Sequence, residues 1–208
     1  MKLELQRLEV GPWPMNCYLV RCPTSGQVAI VDPGADAEAI LAAAGDAPVS
    51  CILLTHGHPD HVGALEKIHS ATDAPVGVHP ADAALFGVEA DFPLTDGMQI
   101  EVGWGQVTVI HVPGHTPGSV CLRLGGQAVV GDAVFPGGPG HTASSQALAQ
   151  SVVSLGRTVF AWPDTTELYP GHGGPTTVGA ERPAFEKFIA ADLPPDLCGN
   201  VTWHQEPI

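Results

Sequence analysis

A chain of 208 residues, 44% of them hydrophobic, is long enough to bury a sizeable core and is expected to form a single domain over residues 1–208. Eight Lys and Arg against 22 Asp and Glu give a formal charge of −14, which repels phosphate backbones and anionic membrane surfaces, so nucleic acid and membrane are not expected as partners and a small molecule is. The 25 glycines and 20 prolines sit at turn-like positions between apolar runs instead of forming a low-complexity segment, which points to many short elements joined by tight turns.

Met1 to Val10 alternates apolar and polar residues and lacks the unbroken apolar stretch of a signal peptide, so it is read as the first strand. Cys17–Val20 and Val28–Val31 form a hairpin through the Cys22–Gly26 turn, and the second arm ends at Asp32-Pro33-Gly34. An Ala-rich helix is expected over Ala35–Ala44 with Gly45 as its stop. The apolar run Cys51–Leu54 is a buried strand, followed by a histidine-rich loop and a helix over Val62–Ser70 with Leu65 and Ile68 at helical spacing. A short strand ends at Val78, and a short helix over Pro80–Phe86 starts with its proline. His79, alone between them, is read as a surface or satisfied core residue.

The second half continues with a hairpin of Gln99–Val102 and Val107–Val112, then a pair Val120–Leu124 and Gln127–Val130 joined by Gly125-Gly126. A helix over Thr142–Leu155 is capped by Thr142 or Ser144, a last strand covers Thr166–Tyr169, and a closing helix Glu181–Ala191 carries Phe185, Phe188 and Ile189 on one face. The tail with Trp203 and His204 has no assigned place. No stretch reaches the length of a membrane span. The five cysteines, Cys17, Cys22, Cys51, Cys121 and Cys198, are odd in number and form no Cys-x-x-Cys pair, which fits reduced thiols in a cytoplasmic protein.

Chemistry is concentrated in Thr55-His56-Gly57-His58-Pro59-Asp60-His61-Val62-Gly63, where three imidazoles and a carboxylate follow directly on a buried strand. On a tight loop His56 and His58 can point the same way, whereas Asp60 and His61 must diverge, so two ions sharing the loop suit it better than one. Three further apolar runs end in the same manner: Val112 leads to His115, Val130 to Asp132 and Tyr169 to His172. In layered α/β structures such strand ends share an edge, and ligands converge there. His56, His58 and His115 make a three-imidazole set of the kind zinc favours, with a fourth position open to water. Asp60, His61 and His172 make a second set. Asp132, with two oxygens, could bridge ions about 3.5–4 Å apart, and a water between them would have its pKa drawn from 15.7 toward about 7.

These stretches, together with Pro-Gly-His-Thr-Pro-Gly-Ser at 113–119, Gly-Asp at 131–132 and Tyr-Pro-Gly-His-Gly at 169–173, resemble the metallo-β-lactamase superfamily, and within it the hydroxyacylglutathione hydrolase (glyoxalase II-like) branch. The resemblance implies an αββα four-layer sandwich, two packed mixed sheets flanked by helices, with a dinuclear centre at one edge. It implies two divalent ions, zinc first and iron or manganese next, a metal-bound hydroxide that cleaves a small ester, thioester or lactone, and a second role for Asp60 as proton acceptor. Two departures count against glutathione as the leaving group. Glyoxalase II enzymes continue into a glutathione-holding helical region that this sequence does not reach, and the loop after Asp132, Phe135 to Thr142, offers only His141 where they carry a basic residue. His141 is therefore the candidate substrate contact. The alternative is a mononuclear iron oxidoreductase resembling persulfide dioxygenases, which share the fold and use two His and one Asp.

Overall fold

A computed structural model of the chain describes residues 2–204. Its first half builds one sheet from β1 (Glu4–Val10), β2 (Met15–Arg21) and β3 (Val28–Val31), then α1 (Ala37–Ala44), β4 (Val49–Leu53), α2 (Pro59–Val62), α3 (Leu65–Thr72), β5 (Val76–Val78), α4 (Pro80–Phe86) and β6 (Phe92–Pro93). The six strands lie in chain order. β1, β2 and β3 pair antiparallel through short turns, whereas β3 to β6 are parallel and each crossover runs through helix or loop on the outer face.

The second half builds the other sheet from β7 (Gln99–Val102), β8 (Gly105–His111), β9 (Val120–Leu124), β10 (Gln127–Gly131), β13 (Glu167–Pro170) and β14 (Thr176–Thr177), in the order β14-β13-β10-β9-β8-β7. Between β10 and β13 come a small ribbon, β11 (Val134–Phe135) with β12 (Gly138–Pro139), helix α5 (Ser145–Arg157) and a 3₁₀ turn at Val159–Ala161; α6 (Val178–Ala190) follows β14. β8 and β10 are each antiparallel to β9, and β13 is parallel to β10. Three strands therefore end at the same edge, which is the arrangement the apolar runs before His115, Asp132 and His172 imply.

Three buried clusters define the layers. The inner faces of the two sheets meet through Tyr18, Val31 and Leu53 on one side and Val107, Leu122 and Val129 on the other. Ile40 of α1 and Ile68 of α3 cover the first sheet with Leu19, Ile30 and Ile52. Leu148 and Leu155 of α5 and Phe185 and Phe188 of α6 cover the second with Cys121, Ala128 and Leu168. The four-layer αββα sandwich is thus observed.

Several elements differ from the sequence reading. The helix expected over 62–70 is two, because Ala64 N–H is donated to Pro33 O and breaks the turn between α2 and α3. The closing helix begins at Val178, not Glu181, since Thr177 accepts from Ala180 N as its cap and tolerates Pro183 inside the helix. The unplaced tail is pinned across the second sheet's helices: Trp203 is 2% exposed and packs edge-on to Phe160, Phe185 and Phe188, while Gly199 bridges to Thr142. All five cysteines are free, with only Cys198 exposed. Among the described residues no helix is long and apolar enough to cross a membrane.

Candidate metal centre

Each predicted residue stands where a strand stops. β4 leads into the loop that carries His56 and His58, and Pro59 at the first position of α2 starts the single turn that carries Asp60 and His61. β8, β10 and β13 deliver His115, Asp132 and His172 from the opposite sheet. Room for this meeting is kept by Gly171, where a Cβ would collide with the Asp132 carboxylate and the His61 ring.

His56 Nε2 lies 3.0 Å from His58 Nδ1, and His115 Nε2 lies 2.9 Å from the same His58 nitrogen. The second group is formed by Asp60 Oδ2, which is 3.1 Å from His172 Nε2 and 4.0 Å from His61 Nε2. Asp132 stands between the groups: Oδ1 is 3.4 Å from His61 Nε2, and Oδ2 is 3.6 Å from His115 Nε2 and 3.9 Å from His172 Nε2. All seven residues come together. Asp60 is 51% exposed at its side chain and His61 fully buried, yet Asp60 Oδ2 and His61 Nε2 lie 4.0 Å apart in one group, so the expected divergence of the two neighbours is not found.

The hydrogen-bond partners fix which nitrogen of each ring carries hydrogen. His115 Nδ1–H donates to His141 O at 2.8 Å, and His172 Nδ1–H donates to Pro14 O at 2.9 Å, because a carbonyl can only accept. His61 Nδ1–H donates to Asp32 Oδ2 at 3.0 Å. Thr55 gives its hydroxyl proton to Asp32 Oδ2 at 2.6 Å, so at His56 Nδ1, 3.1 Å away, it accepts. The Nε2 lone pairs of His56, His115 and His172 therefore aim inward together with His61 Nε2 and the oxygens of Asp60 and Asp132. Lone pairs converging without protons between them repel, unless a cation sits among them.

The electrostatics agree. Burial, reinforced by the neighbouring imidazole of His61, holds His56 well below its ordinary value, and burial likewise lowers His58 and His115. Burial would also lower His61, but the Asp32 carboxylate, joined by Asp132, overcomes it and lifts this imidazole to about 10. Burial pushes Asp132 up, and the positive charge of His61, whose Nε2 lies 3.4 Å away, with His115 and His172, more than reverses it. The side of the centre with Asp32, His61 and Asp132 favours positive charge, while His56, His58 and His115 are kept neutral. His61 Nε2 and Asp132 Oδ1 are buried with no hydrogen-bond partner, although nearly all such atoms in folded proteins have one. Imidazole nitrogens and carboxylates facing an orphaned pair suit a divalent ion of borderline softness, and His56, His58 and His115, or Asp60, His61 and His172, could each hold one.

Sequence reasoning missed the residues behind these side chains. Asp32 is fully buried at φ 51, a conformation L residues seldom adopt, and it holds Thr55 N at 2.7 Å as well as Thr55 Oγ1 and His61. Its signal was present, since it too follows an apolar strand. Asp82, in the first turn of α4, gave none. His79 stays outside the centre, where it caps α4 by accepting from Ala81 N and stacks on His111 at 4.2 Å. His141 approaches through its backbone carbonyl, while its residue is exposed.

Comparison with known proteins adds the lineage. A hydroxyacylglutathione hydrolase of Alkalilimnicola ehrlichii is 38% identical over 146 residues, which cover 69% of this chain and 56% of that protein. The crystal structure of TTHA1623 in a di-iron-bound form is 33% identical with a TM-score of 0.71, covering 85% of this chain and 96% of that one. ETHE1 from Myxococcus xanthus is 25% identical with a TM-score of 0.80, covering 90% and 85%. The profile of the metallo-beta-lactamase superfamily matches residues 10–182, a span that takes in all seven converging side chains, and the chain belongs to that superfamily.

Proposed function

We propose that the protein is a hydrolase of a small ester, thioester or lactone, working with two divalent ions held by His56, His58 and His115 on one side and Asp60, His61 and His172 on the other, with Asp132 between them. The observation that carries this reading is the convergence of ring nitrogens and carboxylate oxygens from both sheets around two buried atoms that lack partners, His61 Nε2 and Asp132 Oδ1. When bound, such a pair of ions supplies Lewis acidity and brings the pKa of a water toward neutrality. The donor set suits zinc, and iron or manganese would find the same atoms acceptable.

The chain's own groups then divide the remaining work. Asp60 is the most open of the carboxylates, and with Oδ2 turned to His172 its other oxygen is free to take a proton from the attacking water. The carbonyls of Pro14 and His141 and the Asp32 carboxylate hold the rings in the tautomers that keep Nε2 unprotonated. Phe86 lies 5.0 Å from the His58 ring and Phe135 lies 6.4 Å from the His172 ring, so an apolar acyl group meets aromatic surface beside both sets. The exposed His141 is the group in the 135–142 loop for a polar end of the substrate.

Metal analysis of the purified protein, together with a panel of thioesters, lactones and phosphoesters, tests this. Two ions per chain and carboxylic-ester or thioester turnover are expected. A single iron with no hydrolysis would replace the reading by the oxidoreductase resembling persulfide dioxygenases.

A further inference from the structure

The loop bearing His56 and His58 and the loop bearing His115 come from different sheets, yet they hold His58 Nδ1 and His115 Nε2 2.9 Å apart. At their bases the two loops share one backbone bond, Val120 N to Thr55 O at 2.8 Å. Beyond it, at the level of the rings, they are joined by one buried carboxylate. Asp82, 0% exposed in the first turn of α4, accepts from Gly57 N at 2.9 Å through Oδ2, and Gly57 is the residue between His56 and His58. The same Oδ2 accepts from the Thr116 hydroxyl at 2.8 Å, and Oδ1 accepts from Gly118 N at 2.6 Å, so three donors from the two loops end on this single group.

The surroundings are built to permit it. A Cβ on Gly57 would collide with Phe86, which lies one turn further along α4, and a Cβ on Gly118 would come within 2.5 Å of Asp82 Oδ1. Thr116 is oriented by Ser119, which accepts from Thr116 N at 3.1 Å and lies 2.7 Å from its hydroxyl oxygen. Helix α4 thus grips the first loop from two sides, through Phe86 on the outside and Asp82 within, and reaches across to the second.

We propose that Asp82 is a positioning residue that sets the distance between His58 and His115 and thereby the affinity and geometry of the three-imidazole group. The inference rests on the two-ion reading above. It assigns to Asp82 no contact with substrate. Because Asp60, His61 and His172 have no bond to Asp82, the effect is confined to one of the two ions. Outer partners of metal ligands typically contribute about 10–100-fold in affinity.

The test is a titration of metal content against graded chelator buffers, with cobalt(II) loading to report ligand geometry by its visible spectrum, on wild type, Asp82→Ala, Asp82→Asn and the control Asp91→Ala. Asp91 Oδ2 accepts from Val76 N at 2.7 Å, a comparable carboxylate-to-backbone bond away from the ligand loops. Asp82→Ala is expected to release one ion at about 10–100-fold higher free metal and to change the cobalt spectrum, while the second ion is retained. Asp82→Asn keeps one accepting oxygen but sets an NH₂ against a second donor, so it lies between wild type and Asp82→Ala and covers the case in which the alanine variant does not fold. Asp91→Ala lowers Tm and leaves both affinities and the spectrum unchanged. Wild-type affinity at both positions in the Asp82 variants, or equal loss at both positions in step with Tm, overturns the inference. Wild-type protein that holds no ion overturns the proposed function itself, and the role of Asp82 with it.

Discussion

The two groups fed by the 55–63 loop differ in character. His56, His58 and His115 form a nitrogen-only set, with neighbouring ring nitrogens 2.9 to 3.0 Å apart and two of the rings locked by partners at Nδ1. Asp60, His61 and His172 form a mixed set that opens outward, with side-chain exposures of 51% for Asp60 and 33% for His172. A set with two of its rings locked by hydrogen bonds holds its ion, whereas a set with an exposed carboxylate has a face left for chemistry. One loop therefore serves an anchoring role on one side and a reactive role on the other.

The largest effect is expected where the anchor is removed. His56→Ala should abolish both metal retention and hydrolysis; an ion still present at wild-type occupancy by elemental analysis would show that the nitrogen-only set is not an anchor. Asp132→Ala, which touches both sets, should lower the occupancy of both ions together, and a selective loss of one would place Asp132 in a single set. Asp60→Asn should leave the ion of the nitrogen-only set in place and lower kcat by roughly 10²–10⁴-fold, the usual range for losing a positioned proton acceptor. Equal loss of that ion would merge the two roles.

A smaller effect concerns pH. In metal-free protein His61 titrates near 10, above its ordinary 6.5, so its proton stabilises the fold fully below about pH 6.5 and that contribution is lost as pH rises toward 10. His56, held below 6.5 by burial, acts in the opposite sense and costs stability as pH falls under 6.5. Stripped protein should therefore lose about a few degrees of Tm between pH 6.5 and 10, a decline that metal loading removes by replacing the proton. Parallel Tm curves for stripped and loaded protein would contradict it. The smallest effect is that of His79→Ala, which removes a helix cap at about 1 kcal/mol and leaves metal content unchanged. Loss of an ion in that variant would extend the centre beyond the two sets.

How much of this was legible differs between the two sheets. The first sheet announces its contribution as one contiguous His-x-His-x-Asp-His stretch after a buried strand. The second contributes His115, Asp132 and His172 singly, and they became readable only through a shared position behind apolar runs that prove to be codirectional strands. Asp32 shares that position after Val31 and was passed over because Asp-Pro-Gly also reads as an ordinary turn. Asp82 sits among alanines in a helix, and nothing local distinguishes it from a solvated first-turn acid; its role exists only in three dimensions. The two-residue strands β6, β11, β12 and β14 are too short to show periodicity, and Pro183 hid the first turn of α6.

An anomalous difference map from a crystal grown with zinc tests the central claim most directly. The account predicts two peaks about 3.5–4 Å apart, one against His56, His58 and His115 and the other against Asp60, His61 and His172, with Asp132 reaching both. A lone peak, or ions bound away from these seven side chains, would contradict it.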